Sequence, residues 1–165
     1  MTASAFLDTN VLVYPYDPSE PVKQKQAIEL IGTLVAAHAI VVSPQILGEL
    51  FTTLSRKLKH PLSLDEARNA VAYYYGLCSV VDITGATVLE AMRGAREYRL
   101  HYWDAQIWAA ARLAGVGLVL SEDFHHGAVL DGVRFINPFR PDFASPIGFD
   151  PPHGAAYAIG ILRHG

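Results

Sequence analysis

Four acidic residues of this 165-residue chain stand where it leaves apolar segments, and together they could do chemistry. Asp8 closes the run FLD with Asn10 two residues on, and Glu49 lies inside the otherwise apolar PQILGELFTTL. Asp104 opens YWDAQIWAAA, and Asp123 follows the apolar run in LVLSED. Carboxylates gathered at one spot repel one another unless a cation intervenes. An all-oxygen set without accompanying Cys or His selects hard ions, Mg²⁺ or Mn²⁺, over zinc. Such a site supports hydrolysis of a phosphodiester, with an ion activating water and one or two ions offsetting the charge that develops. Taken singly, each acid has a plainer reading. Asp8 and Asn10 can cap a turn, Asp104 suits the dipole at a helix start, and Glu49 can be a solvated helix residue. The site rests on the four acting together.

The elements that must position them follow from periodicity. Ser4 to Leu7 reads as a strand, and the apolar Val11 to Tyr14 runs into a turn built from Pro15, Asp17, Pro18 and Pro21. Val22 to Ala37 has helical spacing, Ala39 to Val42 is a buried strand, and Pro44 opens a helix expected to reach about Lys59. Glu49 borders the buried stripe of that helix. Ser63 with Glu66 forms a capping-box pattern for a helix ending near Gly76, followed by a strand from Val80 to Ile83. Helices are expected over Thr84 to Leu100 and Trp103 to Leu113, and strands over Gly117 to Leu120 and Val133 to Ile136. Strands alternating with helices predict an α/β fold, a sandwich with a central, mainly parallel sheet flanked by helices. In such sheets ligands bind beyond the carboxyl ends of the strands, where Asp8 and Asp123 would lie.

Composition sets the bounds. At 51% hydrophobic residues, a chain of this size buries one core without disulfides, and the single Cys78 can form no internal bridge. The start MTASAFLDTN lacks a secretory pattern, and the apolar stretch Leu30 to Val42 is too short to span a bilayer. A cytoplasmic protein without a membrane role is therefore expected. The net charge of -3 argues against gripping nucleic acid by charge alone but not against a nuclease, whose acids would be offset locally by bound cations. Residues 1–139 read as one domain and residues 140–165 as a Pro- and Gly-containing tail.

The ordered set FLDTN, Glu49 in its helix, WDAQI, LSEDF and INPF resembles the PIN domain, specifically the VapC-type toxins of VapBC toxin–antitoxin pairs, over roughly residues 4 to 139. That resemblance implies a PIN-like fold, metal-ligand positions at Asp8, Glu49, Asp104 and Asp123, and hydrogen-bonding support from Asn10 and Ser121. It also implies endonucleolytic cleavage of RNA, a homodimer, and a VapB-like antitoxin partner. Because the last acid is doubled as Glu122-Asp123, the reading assigns Asp123 to the site.

Two other functions compete. FLDTNVLV also resembles the opening strand of haloacid-dehalogenase-like phosphatases, but Asn10 stands where that family has a second acid. A non-catalytic RNA- or partner-binding module would not require all four acids. The basic residues Arg56, Lys57, Lys59, Arg93, Arg96 and Arg99 could meet phosphates, although a charge run on a helix is ordinarily a solvated face. Tyr73 to Tyr75 point in different directions on a helix and are assigned to packing, and His125 and His126 to a loop.

Overall fold

The computed structural model describes residues 3–145. The strands are β1 (Ala5–Leu7), β2 (Ile40–Val42), β3 (Ser79–Val80), β4 (Leu118–Leu120), β5 (Val129–Leu130) and β6 (Val133–Ile136). They form a six-stranded sheet in the order β3-β2-β1-β4-β6-β5. All pairings are parallel except β5 with β6. Every residue of β1 and β2 is buried, as expected of central parallel strands covered on both faces. This is the α/β sandwich expected from the alternation of strands and helices.

The helices are α1 (Thr9–Val13), α2 (Pro21–Ala36), α3 (Pro44–Thr52), α4 (Leu64–Leu77), α5 (Gly85–Glu97) and α6 (Tyr102–Leu113). The capping box of Ser63 and Glu66 starts α4, and a similar reciprocal pair, Thr84 and Thr87, starts α5. Helix α6 is buried continuously from Ala105 to Ala111, because it is covered by α5 on one side and touches β4 and β6 on the other. Gly94 permits that approach: a Cβ there would meet the Trp108 ring at 2.6 Å.

Several boundaries differ from the sequence expectation. The apolar residues before the proline turn are helical, because Asp8 caps α1 by accepting the Thr9 N–H at 2.7 Å. The helix from Pro44 does not run evenly to Lys59; it passes at Thr53 into a π-turn that ends at Lys57. Strand β3 is shorter and earlier than expected, and α5 stops at Glu97, with Arg99 in the left-handed region at φ 56°. Strand β5 was not anticipated. The hairpin turns on Asp131 and Gly132, both at positive φ, a dipeptide that is itself a hairpin signal. The tail expected over residues 140–165 lies mostly outside the described residues. No helix among the described residues is long and apolar enough to cross a membrane.

Candidate active site

The register of the central strands brings the first and last acids together. Phe6 of β1 pairs with Val119 of β4, and the Asp8 N–H donates to the Leu120 carbonyl at 3.0 Å. The chain therefore leaves both strands side by side, with Asp8 next to Ser121 and within two residues of Asp123. Ser121 Oγ donates to Asp8 Oδ2 at 2.6 Å and accepts the Asp123 N–H at 3.1 Å. Asn10 Nδ2 reaches Asp8 Oδ2 at 3.3 Å, Ser121 Oγ at 3.3 Å and Asp123 Oδ2 at 3.1 Å. Position 10 thus carries a donor that ties two acids, where the phosphatase alternative needs its second acid.

Glu49 approaches from α3, half-buried, with Oε2 accepting the Thr9 hydroxyl at 2.9 Å and Oε1 accepting Gln45 Nε2 at 2.9 Å. Gln45 also donates to the Trp103 carbonyl at 3.1 Å and accepts Gln106 Nε2 at 2.8 Å, while the Tyr102 hydroxyl donates to Gln106 Oε1 at 3.0 Å. This amide relay fastens α3 to the first turn of α6, from which Asp104 projects. Asp8, Glu49, Asp104 and Asp123 all line one cleft of about 470 Å³, together with Thr9, Asn10 and Gln45.

The electrostatics follow from burial. Asp8, 4% exposed, has its carboxyl pushed up to about 6, first by desolvation and further by Asp123 and Glu49, against the hydrogen bonds from Ser121 and Thr9. Asp104 is likewise raised, chiefly by desolvation, with Asp123 and Glu49 adding to it and His101 opposing it. The acids therefore repel one another across the cleft. Glu122 does not join them: it takes the Lys23 ammonium at 2.7 Å and the Tyr14 hydroxyl, so of the adjacent pair Asp123 faces the cleft.

Sequence reasoning passed over the relay of Thr9, Gln45 and Gln106. A signal was present in Gln106, a buried amide inside an alanine-rich helix, and in Gln45, one helical turn before Glu49. The other residues weighed from sequence fall elsewhere. Arg93 is held by Glu90, Glu97 and Asp131, Tyr74 is buried, and His126 Nδ1 accepts the Asn137 N–H at 3.1 Å. Of the basic residues, Lys57 alone lines the cleft among the described residues.

Whether these residues suit a divalent cation is a question of their donors. Among the described residues no three His, Cys, Asp or Glu side chains are arranged to ligate one ion as they stand. The donor chemistry nevertheless fits: the four acids, with Asp17 as a fifth, line a cleft that has neither His nor Cys, and the repulsion that Asp123 and Glu49 exert on Asp8 is what a hard cation relieves.

Fold and cleft together define a class, a parallel α/β domain whose site lies beyond the carboxyl ends of its central strands. The chain belongs to the PIN-domain family, whose model matches residues 5–129. Among solved structures it is similar to a toxin–antitoxin complex from Klebsiella pneumoniae, at 16% identity and a TM-score of 0.57 over 82% of this chain and 98% of that one. It is also similar to VapC20 of Mycobacterium tuberculosis, a Sarcin-Ricin loop cleaving toxin, at 21% identity and a TM-score of 0.54 over 73% and 92%. A third likeness is to DNA-bound VapBC from Salmonella typhimurium, at 17% identity and a TM-score of 0.58 over 81% and 96%. At these identities the likeness is one of fold. No curated protein matches in sequence.

Proposed function

We propose that this protein is a divalent-cation-dependent endoribonuclease, the toxin of a type II toxin–antitoxin pair. The observation that carries the reading is the convergence of Asp8, Glu49, Asp104 and Asp123 on one cleft in a PIN-domain fold. Membership of that family and the toxin–antitoxin assemblies among the structural neighbours support it. The partners are an RNA substrate and a VapB-like antitoxin, the assembly a homodimer, and the acting unit the domain over residues 1–139.

Asp8, Glu49, Asp104 and Asp123 would hold Mg²⁺ or Mn²⁺. Bound there, the ion would activate water for attack on phosphorus and offset the charge developing on the phosphate. The chain's own contribution is to fix the donors. Ser121 and Asn10 lock Asp8 and Asp123 in one arrangement, and Thr9 and Gln45 hold both oxygens of Glu49. Orientation of carboxylates by such partners restricts them before substrate arrives, which lowers the cost of assembling the reactive geometry.

The test is incubation of the purified protein, freed of any copurified partner, with structured RNAs and Mg²⁺ or Mn²⁺, beside Asp8→Asn, Asp104→Asn and a chelator control. Cleavage that needs the cation and is abolished in both folded variants is expected. Normal cleavage by both variants would remove the proposed site, and turnover of small phosphomonoesters would favour the phosphatase.

A further inference from the structure

The cleft is lined by Asp8, Asp17, Glu49, Asp104 and Asp123 against a single lysine, and it exposes a large aromatic ring beside one of those acids. Trp103 lines it with 54% of its surface open, immediately before Asp104. Its position is not loose: Gln45 binds the Trp103 carbonyl as well as Glu49, and Tyr102 packs against its ring edge-on at 5.1 Å. The side chain that holds Glu49 therefore also holds the backbone that carries the indole.

Lys57 reaches the cleft by a specific device. Glu49, Thr53 and Lys57 stand at successive four-residue steps and all line it. Four α-helical steps overshoot a full turn by about 40°, so an uninterrupted α-helix would carry Lys57 away from the cleft. The π-turn over Thr53–Lys57 closes on a longer hydrogen bond, turns less per residue, and cancels that drift. Lys57 is exposed and takes part in none of the ion pairs among the described residues.

We propose that Trp103 and Lys57 form a nucleotide subsite on the lip of the acidic cleft, the indole stacking on an unpaired base and the ammonium pairing with a phosphate of the same strand. The subsite rests on the nuclease reading for its place beside the cut. It makes the recognised ligand an unpaired, flexible segment of RNA, because a base inside a duplex has no free face to offer. An exposed tryptophan and a cation that line one cleft suit this ligand, since every base has a stackable face and every link a phosphate. A cleft of this volume is in the range of about 300–1,000 Å³ that holds compact ligands.

The test measures binding, apart from cleavage. The full chain is titrated in Mg²⁺ buffer with a short single-stranded oligonucleotide of hydrolysis-resistant phosphorothioate, 2′-O-methyl backbone, followed by tryptophan emission and by anisotropy of a labelled strand. Trp103→Ala is expected to weaken binding about 5- to 150-fold and to abolish the emission change, leaving buried Trp108 as the reference. Trp103→Phe keeps most of the affinity, which separates stacking from a folding defect. Lys57→Ala is expected to lower the slope of affinity against salt by about one phosphate contact, with Lys57→Arg restoring it. Equal binding by the parent and Trp103→Ala overturns the subsite, as does a duplex of the same sequence that depends on Trp103 as strongly as the single strand. Loss of self-association or of peptide binding in Trp103→Ala with unchanged oligonucleotide binding also overturns it, assigning the ring to a protein contact. If Trp103-dependent binding is present but no RNA is cut, the nuclease reading fails and the subsite stands.

Discussion

Asp8 combines two conditions that oppose each other: it is almost fully buried and it is surrounded by other acids. Its carboxyl titrates at about 6 in the folded protein against an ordinary value of 3.8, so between those values the native state binds more protons than the unfolded chain. Asp8's own contribution to stability without cation is therefore most favourable at low pH and falls as pH rises through that window. Asp8→Asn removes the effect, so the metal-free parent should lose up to about 3 kcal/mol relative to the variant between about pH 4 and pH 7. Urea unfolding of both proteins at the two pH values checks this, and parallel pH profiles would refute it. Gln45 acts on the same chemistry through its neighbour. It touches Glu49 and the Trp103 carbonyl without meeting the cleft's other acids in any hydrogen bond among the described residues. Gln45→Ala should cost about 10- to 100-fold in cation affinity or cleavage, as losing an orienting partner does. Cation titration of the folded variant would show it, and an unchanged affinity would mean that Glu49 orients itself.

At the scale of elements, the crossing of α5 and α6 sets where Asp104 can stand. Trp108 lies across Gly94, its Nε1 donating to the Leu130 carbonyl at 3.1 Å, and the Arg93 guanidinium sits 5.1 Å from its ring. Gly94→Ala gains helix propensity of roughly 1 kcal/mol, but its methyl would collide with a rigid, fully buried indole. A net loss of about 1–3 kcal/mol is expected from overpacking, read as a lowered denaturation midpoint. Unchanged stability would mean that the two helices separate freely. The sequence made most of these elements legible, because period and capping are local: Ser63 with Glu66, Pro44, and the buried runs of β1 and β2 each announce their element. What escaped was also local in cause but outside periodicity. The hairpin of β5 and β6 was written in Asp131-Gly132, while the π-turn at Thr53 has no residue signature that pattern reading detects.

Across the whole molecule, the acids form a reservoir of repulsion that a cation should discharge. Mg²⁺ or Mn²⁺ at about a hundred times its dissociation constant should add about 2.7 kcal/mol to stability, seen as a rise in melting temperature that a chelator reverses. Asp8→Asn should flatten the response; a rise of the same size in that variant would place the cation elsewhere. The sequence by itself determined the family, the strand and helix order apart from α1 and β5, and which acids were candidates, because residue type, spacing and apolar period are properties of the chain. Only the tertiary structure decided that the candidates meet. Asp8 and Asp123 are brought together by the parallel register of β1 and β4, and Glu49 and Asp104 by the Gln45 and Gln106 link between α3 and α6. It also decided that Glu122 turns to Lys23 and Tyr14 while Asp123 faces the cleft, and that Lys57 reaches it while Arg93 is taken up by Asp131, 38 residues on, beside its helix neighbours Glu90 and Glu97. These are choices between partners distant in sequence. Their energies depend on burial and on which charge stands within a few ångströms, quantities that exist only once the chain has folded.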